Sequence, residues 1–345
     1  MATEKTTLEF FGATTFRLRT NGITIFHDTW LDKPALMQRH LEIDDVTEAD
    51  YILISHAHFD HLPGADRLAK RTGAVVIANC EAISLLRKAG VPDAQLVRVA
   101  GGERIPLFTR SIREQAAGGA CKLQEGGPPG TPARPHPDLA AVAIHVWPSL
   151  HCLMPAVTHA EMPAIFDTGR EYSGSAGPFT CTLDITHAMG HGLMRLGEII
   201  PPDRFDEKTK AIADFMADKK NVMSACDGGQ LMFNVVIGDK AVLFNSHLGA
   251  YQGIHQVVQP RPDVAVLGIA GRANLDGRPF DGSAAQFAVK QLQWLGKPEK
   301  VIWCLHDESL IPPFSVDTTA AKELVERDTG GNVEDVPYAT PVELF

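Results

Sequence analysis

The sequence predicts a mixed α/β fold in which helices pack on sheet, and three observations carry that prediction. The first sixty residues break into short apolar or β-branched segments separated by turn signals. From Pro63 to Val99 helix-spaced and strand-like segments alternate, and the same regular pattern returns from Gly228 to His306. With 44% hydrophobic and 21% charged residues, the 345-residue chain has enough apolar surface to form a core.

Taken in order, the expected early strands are Leu8–Phe11, Thr15–Arg19, Ile23–Phe26 and Tyr51–Ile54, with Asn21-Gly22 as a hairpin turn. Ala65–Thr72 then carries apolar residues at 65, 68 and 69 and reads as a helix. Strand Ala74–Ala78, helix Glu81–Ala89 and strand Gln95–Val99 follow. Residues 105–138 are rich in Gly and Pro and offer little to bury, so they are expected to be a loop insertion. Strand Ala140–Trp147 leads to Pro148-Ser149-Leu150-His151. Residues 153–226 lose the alternation and hold two expected helices, Ile185–Ile199 and Glu207–Asp218, read as an insertion covering the active site. Strands Leu231–Ile237 and Ala241–Phe244 form a second hairpin across Gly238-Asp239. Strand Val264–Ile269, helix Ala284–Leu295 and strand Lys300–Cys304 complete the pattern. The whole, residues 1–345, is expected to be one domain.

Composition excludes several function classes. A net charge of −10 and the lack of a basic stripe argue against a nucleic-acid partner. No run of about 18 apolar residues suits a membrane span, and Met1–Thr7 lacks the features of a secretory leader, so a cytoplasmic location is expected. The six cysteines have no CxxC spacing and read as free thiols. A small-molecule substrate is the expected partner, and homo-oligomer formation is left open.

The chemistry concentrates at the end of Ile52-Leu53-Ile54-Ser55, where His56, His58, Asp60 and His61 crowd into six positions. A strand end is a rigid platform, and imidazole nitrogen with carboxylate oxygen suits zinc, manganese or iron. Two more histidines, His151 and His306, also follow strands.

The run His-x-His-x-Asp-His after a strand resembles the hallmark of the metallo-β-lactamase superfamily. Its flanks, Ala49–Ser55 and Leu62-Pro63-Gly64, with the earlier Asp28-Thr29-Trp30-Leu31, look like the branch that includes ascorbate-6-phosphate lactonase. The resemblance implies a four-layer αβ/βα sandwich with the metals at one edge. It also implies His56, His58 and His151 on one metal, and Asp60, His61 and His306 on a second, with one or two zinc ions and manganese or iron as alternatives. Where most members carry a bridging aspartate, this chain reads Asn245-Ser246-His247-Leu248-Gly249, which puts His247 at the bridging position. A neutral imidazole offers one lone pair to one metal and cannot span two. The alternatives are therefore two metals without that bridge, or one strongly held metal. Asn245 is an alternative ligand through its amide oxygen if the strand register slips by two.

His187 and His191 lie i, i+4 on an expected helix but lack the Glu of a zincin motif, and with His159 they read as surface or pocket-lining residues. Cys152 has no base partner. The resemblance implies hydrolysis by metal-activated water, on a small-molecule ester or lactone with hydrophobic or aromatic parts. Asp60 would also orient the water, and an unligated His247 would act as general acid. Dehalogenation or amide and β-lactam hydrolysis are the competing reactions. A metal-binding protein without turnover is the competing class, suggested by the altered bridging position.

Overall fold

A computed structural model describes residues 5–153, 166–174 and 191–345. The strands are β1 (Thr7–Phe10), β2 (Phe16–Thr20), β3 (Ile23–His27), β4 (Tyr51–Leu53), β5 (Val75–Ala78), β6 (Leu96–Arg98), β7 (Arg104–Leu107), β8 (Val142–Pro148) and β9 (Leu231–Ile237). They continue as β10 (Lys240–Asn245), β11 (Gly249–Ala250), β12 (Val264–Gly268), β13 (Asn274–Leu275), β14 (Arg278–Pro279), β15 (Lys300–Cys304), β16 (Asn332–Val333) and β17 (Val342–Glu343). The α-helices are α1 (Ala65–Thr72), α2 (Cys80–Lys88), α3 (Arg110–Ala117), α4 (Leu196–Ile199), α5 (Glu207–Ala217), α6 (Gln252–Val257), α7 (Ala284–Trp294) and α8 (Thr319–Thr329).

Among the described residues, two seven-stranded sheets form. One is ordered β17-β1-β2-β3-β4-β5-β6, the other β16-β15-β12-β10-β9-β8-β7. Both are mixed: β3 to β6 run parallel in the first, and β10, β12, β15 and β16 in the second. Period-2 alternation builds the layers. Val264 and Val266 of β12 face the core between the sheets, with Leu18, Ile25, Ile77 and Phe244, whereas Ala265 and Leu267 turn to Phe287 and Leu292 of α7. On the other side Ile52 and Val76 pack on Leu68 of α1 and Ile83 of α2. The result is helix, sheet, sheet, helix: the four-layer metallo-β-lactamase sandwich. Asn21 and Gly22 both take positive φ, 48° and 72°, as a two-residue turn of this hand requires.

Three regions depart from expectation. Residues 105–138 are not purely loop: β7 pairs antiparallel with β8, and α3 follows with its N-cap Thr109 accepting the Ile112 N–H. Cap chemistry outweighed a composition that suggested nothing to bury. Helix Ile185–Ile199 lies partly outside the described residues; its described end is a 3₁₀ turn, Gly192–Arg195, leading into α4. The C-terminal α8, β16 and β17 were not anticipated, and β17 extends the first sheet by pairing with β1. No described helix is long and apolar enough to cross a membrane.

Candidate metal centre

The parallel strands direct their carboxyl ends to one edge of the sandwich, and the candidate residues follow those ends. His56 to His61 follow β4, His247 follows β10, and His151 follows β8 from the neighbouring antiparallel pair. Five imidazoles meet there. Ring centroids are 4.5 Å apart for His56 and His58, 3.9 Å for His56 and His61, 5.1 Å for His56 and His151, and 3.7 Å for His151 and His247. His56, His151 and His247 each offer a ligand atom within 4.8 Å of the others. His58 stands beside them, 5.0 Å from His151.

The donor set fits a cation on an internal test. His56 Nε2, His58 Nε2, His61 Nε2 and both nitrogens of His247 are buried without a hydrogen-bond partner. Each such atom costs roughly 1–3 kcal/mol if left unsatisfied. Three of these rings, His56, His58 and His247, carry one lone pair each when neutral, and a cation between them would accept those lone pairs. Burial holds His58 down to about 3, and His56 and His247 well below the usual imidazole range, so all three present lone pairs at neutral pH.

The other ring nitrogens are fixed by neighbours. His56 Nδ1 lies 3.1 Å from Ser55 Oγ, which itself donates to Asp28 Oδ2 at 2.9 Å. His61 Nδ1 donates to Asp28 Oδ2 at 2.7 Å, and His151 Nδ1 donates to the Cys152 carbonyl at 2.8 Å. These bonds set the tautomers and aim Nε2 inward. Asp28, fully buried with φ 51°, was noted in the sequence only as part of a segment and given no role. Its signal was a carboxylate directly after β3, a strand buried at every position. Asp60 Oδ2 lies 3.5 Å from His61 Nε2. Burial opposes charge on both. Each nevertheless keeps its ionised form more firmly than usual, His61 to about 9 against Asp60 and Asp28, and Asp60 down to about 2.

Two further candidates, His306 and the alternative Asn245, have other neighbours, though His306 Nδ1 is itself buried without a hydrogen-bond partner. Asn245 is consumed in a buried network: its Oδ1 accepts from Ser149 Oγ at 2.7 Å, and its Nδ2 donates to the Gly249 carbonyl and Gln291 Oε1. The register of β10 against β12 does not slip, so His247 takes the inward place. His306 follows β15 as expected, but its ring stacks on Phe10, with centroids 5.9 Å apart and planes 11° apart, and does not join the five imidazoles. Tyr338 covers Phe10 in turn at 5.3 Å. His159 and His187 lie outside the described residues. His191 is exposed just before the 3₁₀ turn. The buried Cys152 thiol is pushed up to about 12 by desolvation, which suits a packing role.

The described end of the 153–226 segment packs on the motif. Ala57 N–H donates to the Asp227 carbonyl, and Ser224 N–H to that of Ala57. Phe215 of α5 joins Trp30 and Ala13, with Phe59, Met216, Met223 and Leu305 around them. Within this wall lies Lys33, which the sequence did not single out. Its Nζ is buried without a hydrogen-bond partner, 3.8 Å from the Trp30 ring centroid. Desolvation lowers it to about 8, opposed by the charges of Asp307 and Asp60.

Known proteins resemble parts of the chain in sequence and the whole of it in fold. A model of the β-lactamase superfamily domain matches residues 24–139. A UPF0173 metal-dependent hydrolase of Anaeromyxobacter sp. (strain K) is 41% identical over 92 residues, 26% of this chain and 33% of that protein. Another, from Rubrobacter xylanophilus, is 36% identical over 102 residues, 29% of this chain and 41% of its own length. The chain thus spans about a third of the length of the first of these relatives. Their names reach as far as metal-dependent hydrolase and do not extend to the lactonase branch. In fold, the chain is similar to Igni18, a metallo hydrolase from Ignicoccus hospitalis, with a TM-score of 0.56 at 17% identity over 99% of both chains. It is also similar to CmlA, a diiron β-hydroxylase from Streptomyces venezuelae, with a TM-score of 0.51 at 15% identity over 99% of this chain and 54% of that one.

Proposed function

We propose that this chain is a metal-dependent hydrolase acting on a small-molecule ester or lactone with hydrophobic or aromatic parts. The observation that carries the reading is the convergence of buried, unpartnered imidazole nitrogens from three strand ends at one point. A divalent cation bound there would supply water with its pKa lowered from ~15.7 to ~7, and a Lewis acid for a substrate oxygen. His56, His151 and His247 would hold it, with His58 adjacent; zinc suits nitrogen donors best, and manganese or iron fit the same set.

Asp60, ionised and 3.5 Å from the His61 ring, would accept a hydrogen bond from the attacking water and orient it. Asp28 fixes the His61 ring in place and, through Ser55, the tautomer of His56, so the site needs little reorganisation during turnover. With His247 among the metal-holding histidines, it is not available as general acid. The wall of Trp30, Phe59, Phe215 and Met223 beside the motif supports an apolar substrate part. The lactone preference rests on the motif flanks alone.

The test is a panel of aryl esters and lactones run on purified protein before and after metal stripping. Hydrolysis abolished by chelator, restored by zinc and lost by at least tenfold in His247→Ala supports the reading. Retained metal with no turnover on esters, lactones, amides or haloaromatics would instead support a binding protein.

A further inference from the structure

Two-metal centres on this sandwich need a bridging group and a second set of ligands, and three observations here bear on that second set. The bridging position holds His247, whose ring can serve one metal. His306 stacks on Phe10, whose ring Tyr338 also stacks against, and its ring is not among the five clustered imidazoles, although its Nδ1 is buried without a partner. The third observation is a buried amine. Lys33 Nζ is buried, unpartnered and seated on the face of Trp30, and the charges of Asp307 and then Asp60 favour its ammonium form.

The local backbone is built around that charge. Gly12, at φ 99°, leaves the space it needs, since a Cβ there would meet Asp307 Oδ2 at 2.9 Å and Lys33 Nζ at 3.3 Å. The Ala13 N–H donates to both Asp307 oxygens at 2.9 Å, and Tyr338 Oη donates to Oδ2 at 3.3 Å, so the carboxylate is held beside the ammonium. An ammonium with no hydrogen-bond acceptor is costly to bury unless nearby carboxylates need its charge. Asp60 and Asp307 supply that need, and a second divalent cation at Asp60 would be repelled by Lys33.

Resting on the reading of this cluster as a metal centre, we propose that it holds a single metal ion and that the Lys33 ammonium, seated on Trp30 and beside Asp307 across Gly12, stands in for the second cation. Lys33 is in this sense a positioning residue that neutralises the carboxylates without coordinating anything.

The test counts metals on the full-length protein, stripped and then titrated with zinc, by elemental analysis and calorimetry. Manganese-loaded protein is examined by electron paramagnetic resonance. Wild type is expected to take up one tight equivalent per chain and to show uncoupled manganese. Lys33→Met, which frees two carboxylates, is expected to gain a second equivalent. His306→Ala, a tolerant change at a partly exposed ring, is expected to keep the stoichiometry and to change zinc affinity by less than twofold. Two tight equivalents in wild type, a coupled manganese pair, or loss of one equivalent in His306→Ala would overturn the proposal. A Lys33→Met protein that folds yet still binds one equivalent would remove Lys33 from it. Failure of wild type to bind any metal would instead refute the metal centre itself, and one metal without turnover would refute only the hydrolase.

Discussion

The division of labour among individual residues is clearest at Asp28. Its two oxygens accept from the Ser55 N–H at 2.8 Å, the Ser55 hydroxyl and the His61 ring, so one carboxylate orients two imidazoles. An amide of the same shape cannot do this, because one of its ends is a donor facing donors. Asp28→Asn is therefore expected to fold but to bind zinc about 10–100-fold more weakly, the usual cost of losing an outer-shell partner. Competition against a chromophoric chelator measures it, and an unchanged affinity would show that Ser55 and the backbone suffice. At this scale the sequence revealed the histidines of the cluster, which are local to one strand end or follow an obvious strand. It concealed Lys33, whose position depends on the turn after Asp28 and on contacts with Trp30 and the Gly12 loop. Nor did it reveal that the His306 ring stacks on Phe10, which is distant in the chain.

Among the elements, those with strong periodicity were legible almost to the residue, as α1, β9 and β15 show, because a buried stripe or alternation leaves a pattern in one stretch of chain. Those stabilised by caps or by pairing with distant strands were not. α3 starts on Thr109, and β17 exists because β1 offers an edge. Helix α7, which covers the outer face of the second sheet beneath Val301 and Trp303, has both features. Its N-terminus carries a full capping box, with Ser283 accepting the Gln286 N–H and the Gln286 side chain accepting the Ser283 N–H. Ser283→Ala is expected to cost about 1 kcal/mol. Equilibrium denaturation should show this as a lower midpoint with the slope unchanged. The metal content should not move, since Ser283 lies at the far end of α7 from Gln291, the residue that bonds Asn245 of β10.

For the whole molecule, a cluster of buried histidines makes stability a function of pH, and the sign follows from each shift. Burial lowers His56, His58, His247 and His255, with His58 at about 3 and His255 at about 4. All are neutral in the folded protein, while in the unfolded chain they take up protons below about 6.5. Stability is therefore lost as pH falls from about 6.5 toward 3–4, on the order of 2 kcal/mol per histidine by pH 5. His61 acts in the opposite direction. Burial pulls it down, but Asp60 and Asp28 outweigh burial and raise it to about 9, so its contribution is complete below about 6.5 and is lost as pH rises through 9. The metal-free protein should accordingly be most stable near pH 6.5 and weaken on both sides, more steeply in acid. A bound cation competes with protons for the same imidazoles, so zinc should raise the melting temperature most above neutral pH and progressively less toward pH 5. Melting curves from pH 4.5 to 9.5, with and without zinc, measure this directly. A metal-free profile that is flat between pH 5 and 6.5 would mean that the clustered imidazoles are not held neutral by burial, and with that the argument for a preformed cation site would fail.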